Sequence, residues 1–288
     1  MARIAPPLKF SVFRSMVTLS GLHVYPIKSA AGLSLTSAAT APRGFQHDRR
    51  WMLVDRAGKF ISQRTCPKLA LVSVDIGDRE LVITAPDHGS QTLPLQPSGP
   101  SRIPVEVWGD RCSAIPMPAV VSDWLSAFLG TPCQLVYMPE DCDRPVDHGQ
   151  FAADRSDDAD TGSPLVSFAD AYPFLLISEA SLADLNHRLA VPIPMNRFRP
   201  NLVVQNCDAF AEDGWSRIQI GDAIFRVAKP CSRCTITTVE QSTGQRGAEP
   251  LKTLATFRRW DGQIWFGQNL VQETSGVVRV GDAVKILA

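Results

Sequence analysis

Apolar and polar residues alternate with a period of two over much of the chain, the pattern of strands with one face buried. The alternation or its short apolar runs predict strands at "WMLVD" (51–55), "KLALVSVDI" (68–76), "ELVITA" (80–85), "VEVWG" (105–109) and "CQLVYM" (133–138). After a break come "NLVVQ" (201–205), "TITTVE" (235–240) and "IWFGQNL" (264–270). "RIQIGDAIFRV" (217–227) and "VVRVGDAVKIL" (277–287) each set Gly-Asp between alternating runs, a hairpin signal. The period shifts to that of a helix at three places: "AVVSDWLSAFLG" (119–130), "SEASLADLNHRLA" (178–190, with Ser178 as N-cap) and "EPLKTLATFRRW" (249–260). Strands outnumber helices, so the expected class is mainly β (α+β): barrels or sandwiches with peripheral helices.

One stretch follows neither period. "EDCDRPVDHGQFAADRSDDADTG" (140–162) holds eight acids and two arginines. It reads as a solvated linker between two β halves or, alternatively, as a flap over a site. The expected division is a tail at 1–17, a first β half at 18–139, the acidic linker or flap at 140–163 and a second β half at 164–288. The tail carries Arg3, Lys9 and Arg14 and no acid, and Met16 is an alternative start.

Composition narrows the class without naming a function. Lys+Arg and Asp+Glu are both 29, so no global field favours nucleic acid or a membrane surface. The longest apolar runs are too short to span a bilayer. Seven scattered cysteines without a signal peptide point to a reducing cytoplasm rather than a disulfide frame.

"AKPCSRCTITTV" (228–239) places Cys231 and Cys234 around Arg233. Zinc would need four ligands, and no second C-x-x-C or histidine cluster accompanies the pair. A thioredoxin-like pair would sit at a helix start, whereas the β-branched run here favours a strand. Two readings stay open: half-buried structural thiols, or one thiolate serving as metal ligand, nucleophile or sulfur carrier, kept ionised by Arg233.

Taken with "FRPNLVV" (198–204), "GAEPLKTL" (247–254), "FGQNL" (266–270) and the closing "VRVGDAVKIL", this motif resembles the MOSC domain found at the C-terminal end of molybdenum-cofactor sulfurases. "YPIKSAAGLSL" (25–35), "GFQHDRRWMLVD" (44–55) and "ISQRTCPKLALV" (61–72) resemble the β-barrel region that precedes it. Together they are similar to the amidoxime-reducing molybdenum proteins and bacterial YcbX-like proteins. The resemblance implies that Cys234 binds molybdenum, with Cys231 in a lesser, supporting role. It implies a molybdenum–molybdopterin cofactor held by Lys28, Ser29, Arg49, Arg199, Asn201, Ser232 and Arg233, with Arg50 and Arg197 close enough to exchange roles with their neighbours. In "SFADAYPFLLIS" (167–178), Ala171 and Tyr172 stand where animal members carry small hydroxyl residues, so Tyr172 and backbone amides take that place. Asp170 is expected to face the metal or to cap the loop.

The implied activity is reduction of N-hydroxylated compounds, using two electrons and two protons and releasing water. Asp170 and the 140–162 flap are candidates for delivering protons. No cysteines show iron–sulfur spacing, and the chain stops at "KILA" where the barrel should close. Electrons are therefore expected from a separate donor, a ferredoxin or a cytochrome–flavin reductase pair. A carrier of cofactor or sulfur without redox turnover is the alternative, and a MOSC-like scaffold binding no metal is a third reading.

Overall fold

A long antiparallel ladder joins Ala223–Ser232 to Gln263–Thr274, and its register slips between Ile224 and Phe225, Val227 and Lys229, and Pro230 and Ser232. Each slip adds twist and re-aims the strand, as bulges do. Gly267 of "FGQNL" lies in this ladder at φ 80°; a Cβ there would stand 2.6 Å from Ile177 Cγ1 and 2.9 Å from the Leu176 carbonyl. Glycine is required at that position for both conformation and space. The computed structural model describes residues 16–146 and 164–288, so the expected tail up to residue 15 and most of the acidic segment, 147–163, lie outside the described residues.

The ladder is the middle of a curled sheet. From one edge its strands are Val284–Ile286, Arg217–Ile220, Ala223–Ser232, Gln263–Thr274, Phe174–Ser178, Leu202–Gln205, Thr18–Val24 and Leu33–Ser34. Phe174–Ser178 and Leu202–Gln205 run parallel, and the helix Glu179–Arg188 makes the crossover between them. Thr18–Val24 pairs antiparallel with Leu202–Gln205, so the first strand lies in the sheet built by the second half of the chain. Ser37–Ala41 likewise pairs with Val277–Arg279. The remainder of the first half forms a four-stranded sheet (Trp51–Val54, Gln134–Tyr137, Asp110–Pro116, Ile103–Val107) and a meander of Ser73–Ile76, Glu80–Ala85 and Gly89–Pro94. The class is mainly β with few helices, as the alternation implies. Among the described residues no helix is long and apolar enough to cross a membrane.

Two helices follow the expected signals. Ala119–Leu129 ends at Gly130 in the left-handed conformation, and Glu179–Arg188 begins at Ser178, whose Oγ accepts from Ser181 N at 3.0 Å. The third is a single turn, Leu251–Leu254. Asp261 and Gly262, at φ 51° and 73°, form a tight hairpin turn that draws Arg259–Trp260 into pairing with Gln263–Ile264 instead. The strand expected at 68–76 is split: Pro67 starts a 3₁₀ turn through Leu71, and pairing begins only at Ser73. Of the two Gly-Asp echoes, only the first makes a hairpin, Ile220 opposite Ala223. At the second, Asp282 accepts Arg279 N on its carboxylate at 2.8 Å, while Gly281 N donates to Leu19 O at 2.7 Å. That turn is tied to the first strand, so its two arms join different partners.

Phe174 stands edge-on between Phe45 (4.8 Å) and Phe225 (5.1 Å) in the core of the large sheet. Phe225 is fully buried and away from the cleft described below. Phe225→Ala is expected to cost about 3–5 kcal/mol, read as a lower urea midpoint at unchanged slope.

Candidate functional site

The chain leaves its first strand through "YPIKS". Tyr25 N donates to Asp48 Oδ1 at 2.7 Å and Lys28 N to Trp51 O at 2.8 Å, which fixes the segment against the "HDRRW" turn. Across the sheet, Asn201 N donates to Leu175 O, and the guanidinium of Arg233 reaches the Phe198 carbonyl at 2.7 Å. These ties draw five separate segments around one cleft. Lys28, Ser29, Arg49, Asp170, Tyr172, Arg199, Asn201, Ser232, Arg233 and Cys234 all line it. Ser29, Arg49 and Arg199 hold φ of 67°, 51° and 57°, a left-handed backbone that costs side-chain-bearing residues on the order of 1–3 kcal/mol each. Three of the nine non-glycine residues with positive φ among the described residues thus line this cleft.

The cleft gathers positive charge. The Tyr25 ring lies between two guanidinium groups, Arg49 at 4.3 Å and Arg199 at 4.2 Å from its centroid, and the Tyr25 hydroxyl donates to Pro200 O at 3.0 Å. Burial pushes the Tyr25 phenol up to about 12, so the ring stays neutral. Burial pulls Arg199 down to about 10, still cationic at neutral pH. Arg199 Nη1 donates to Ala30 O, while its Nη2 is buried without a hydrogen-bond partner. Arg49 donates to buried Asp48 and, at 3.0 Å, to Asn201 Oδ1. Burial pushes the Asp48 carboxyl up even against the Arg49 charge. The Asn201 amide is committed to protein partners: Oδ1 accepts from Arg49 and Leu175 N, and Nδ2 donates to His23 O. Asn201 therefore acts by holding Arg49.

Lys28 is 4% exposed, and its Nζ donates to Phe168 O at 2.8 Å and to Asp170 Oδ1. Burial lowers the Lys28 ammonium, and the adjoining carboxylate opposes that shift. Desolvation in the recess would raise Asp170, but the charge and hydrogen bond of Lys28, then the Trp108 indole at 2.9 Å, hold it well below the usual carboxylate range. Arg144 fixes the loop beneath: buried, it donates to the carbonyls of Ser167, Ala169 and Asp170 and pairs with Asp110 at 2.7 Å. The acidic segment is therefore not wholly solvated, since Arg144 and Val146 are packed inside.

Cys234 follows the end of the long strand and caps a 3₁₀ turn, Thr235–Thr238, in place of the expected strand. Hydroxyls of the threonine run explain the difference. Thr237 Oγ1 donates to Cys234 O at 3.1 Å and Thr238 Oγ1 to Thr235 O at 2.8 Å, bonds that compete with a ladder. Both thiols are half-buried and free. Arg233 Nη1 stands 3.0 Å from the sulfur of Cys231, so its charge lies against that thiol. Arg233 Nε is buried without a hydrogen-bond partner.

The neighbouring arginines go elsewhere. Arg50 donates to Met138 O and pairs with Glu140 at 2.8 Å; Arg197 donates to Thr237 O and pairs with Glu240 at 3.0 Å. Tyr25, Asp48, Trp108 and Arg144 have roles here that motif reading missed. The strand expected at 105–109 runs through Trp108, whereas the strand ends at Val107 and Trp108 with Gly109 forms the turn before Asp110. The cleft encloses about 130 Å³, so a ligand larger than a few waters spreads its walls or extends past the rim. A larger hollow of about 630 Å³, lined by residues including Asp55, Arg56, Asp123 and Cys133, lacks any such gathering of like charge.

Four cationic side chains and two free thiols line one cleft set among β-sheets. The chain belongs to the MOSC family: residues 16–132 match the MOSC N-terminal beta barrel domain and residues 164–285 the MOSC domain. It is 34% identical over 306 residues to mitochondrial amidoxime-reducing component 1 of Mus musculus, covering 99% of this chain and 86% of that protein. The Homo sapiens protein of the same name is 32% identical over 305 residues, covering 99% of this chain and 87% of its own. Molybdenum cofactor sulfurase of Danio rerio is 33% identical over 280 residues, covering 91% of this chain but 32% of that protein.

The depressed Asp170 carboxyl has a consequence for pH. A group whose folded pKa is lowered contributes stability above its unfolded value, and loses that contribution as pH falls through the folded one. The difference in melting temperature between wild type and Asp170→Asn should be full at pH 7 and shrink only below about pH 4. A difference that vanished already near pH 6 would contradict the ion pair with Lys28.

Proposed function

We propose that the protein is a molybdenum-cofactor-dependent reductase of N-hydroxylated compounds that takes electrons from a separate donor protein. The supporting observation is the convergence of Lys28, Arg49, Arg199 and Arg233 around the free thiol of Cys234, with Arg199 Nη2 and Arg233 Nε left without protein partners. Buried guanidinium nitrogens that lack an acceptor suit a phosphate-bearing pterin, and a thiolate suits a thiophilic metal. Cys234 would hold the molybdenum. Lys28, Ser29, Arg49, Arg199, Ser232 and Arg233 would hold the pterin and its phosphate, with Tyr172 as a wall and Asn201 steadying Arg49. When bound, the cofactor supplies two-electron reduction of an N–O bond, with water as the second product.

The protein's own groups divide the remaining work. Asp170 stays a carboxylate at neutral pH, so it accepts hydrogen bonds from substrate N–H and is a poor acid. The Lys28 ammonium, with its pKa lowered by burial, is the better proton source at Nζ, and Asp170 holds it in place. Among the described residues no group of three or more His, Cys, Asp or Glu side chains could hold a further metal ion. We assign electron supply to a partner, a ferredoxin or a cytochrome–flavin pair, on the likeness to the amidoxime-reducing proteins.

Metal and pterin analysis of protein from cofactor-competent cells, with viologen-driven reduction of benzamidoxime, tests this. Wild type should carry molybdenum and turn over. Cys234→Ala should lose reduction altogether while its unfolding free energy stays within about 1 kcal/mol, because a half-buried thiol is not a core anchor. Cys231→Ala should keep most of the activity. Bound pterin without any reduction would favour a carrier, and protein that never takes up molybdopterin would overturn both readings. NADH alone should support no turnover; if it does, the separate donor is wrong.

A further inference from the structure

Trp108 sits where a bulky residue is rare. It and Gly109 are the two central residues of the hairpin between Ile103–Val107 and Asp110–Pro116, at φ 56° and 94°. Such turns favour Asn-Gly, and a left-handed tryptophan is strained. The strain projects the indole from the first β half to the rim of the cleft, where Nε1 donates to Asp170 Oδ1 at 2.9 Å. Arg64 covers the ring at 4.0 Å and Phe60 lies against it at 5.2 Å, yet Trp108 remains 47% exposed. Phe60 in turn lies 5.2 Å from Lys28 Nζ. Asp170 Oδ1 is taken by Lys28 and Trp108; Oδ2 has no partner among the described residues, and the side chain is 55% exposed.

We propose that Trp108 and Asp170 form a substrate subsite that selects planar, aryl-conjugated N-hydroxylated compounds, the arene stacking on the open indole surface and the amidoxime NH₂ donating to Asp170 Oδ2. An exposed indole beside an unused carboxylate oxygen offers an apolar plane and an acceptor in the same place. The amidoxime is neutral at pH 7, so the surrounding cations do not repel it. The subsite rests on the reductase reading for its ligand class, but its binding is measurable without turnover.

The test is equilibrium dialysis of benzamidoxime and acetamidoxime against cofactor-loaded wild type, Trp108→Ala and Trp108→Phe, with thermal melts to confirm folding. Wild type should bind the aryl compound about threefold to tenfold more tightly than the alkyl one, the range of one aromatic contact. Trp108→Ala should erase that preference by weakening benzamidoxime more than acetamidoxime. Trp108→Phe keeps a ring and loses the indole donor, so it should retain most of the preference. Equal binding of the two compounds by wild type, no binding of either, or loss of both compounds together in Trp108→Ala would overturn the subsite. Selective, Trp108-dependent binding by protein that reduces neither compound would sink the reductase reading and leave the subsite standing.

Discussion

Like charge confined in a small space governs this molecule. Lys28, Arg49, Arg199 and Arg233 share one cleft with Asp170, and the buried Asp48 carboxylate pairs with Arg49. Gathering four cations, two of them buried, is unfavourable unless acceptors surround them. The protein meets the need in part. The Tyr25 ring separates two guanidinium groups with its electron-rich faces, main-chain carbonyls accept from each cation, and Asp48 and Asp170 each neutralise one neighbour. What is left is an excess of donors with nitrogens unassigned. Under the proposed reading a multiply charged anion would accept from those donors, and the left-handed residues Ser29, Arg49 and Arg199 all line the same cleft.

Asp170 ties the two β halves together at the cleft. Its carboxylate receives Lys28 from the end of the first strand and Trp108 from a hairpin tip, while its carbonyl receives Arg144 from the acidic segment. Arg144 is itself 3% exposed and reaches Asp110 beside that same hairpin. The loop carrying Asp170 therefore has a set position relative to both sheets, although none of its residues lies in a strand until Phe174.

Alternation was enough to read the two longest strands, though not Thr18–Val24 or Asp110–Pro116, and the caps at Ser178 and Gly130 were enough to place two helices, because those signals are local. Signals that depend on a competing local bond misled: threonines at 237 and 238 turn back on their own carbonyls, and Asp282 ties its turn to Leu19. Motif order brought Lys28, Arg49, Arg199 and Cys234 into view, and only geometry separates Arg49 and Arg199 from Arg50 and Arg197, which bond to other segments. Arg144 was hidden because the composition of a window averages over its members. A run rich in acids reads as solvated even when one arginine inside it is buried. The contact between Arg233 and the Cys231 sulfur depends on rotamers and lies beyond any spacing rule.

The pairing of Thr18 with Gln205 bears on how the chain is made. A strand emitted early must wait for a partner encoded far downstream. At a ribosomal pace of about 5–20 residues per second, that delay is on the order of 10–40 seconds. Loop closure over such a separation is slow, and an unpartnered edge is exposed meanwhile. Lys28 and Ser29 hang from the end of that strand, so no nascent fragment lacking Leu202–Gln205 presents a finished pocket, and any prosthetic group must be acquired after that strand is made.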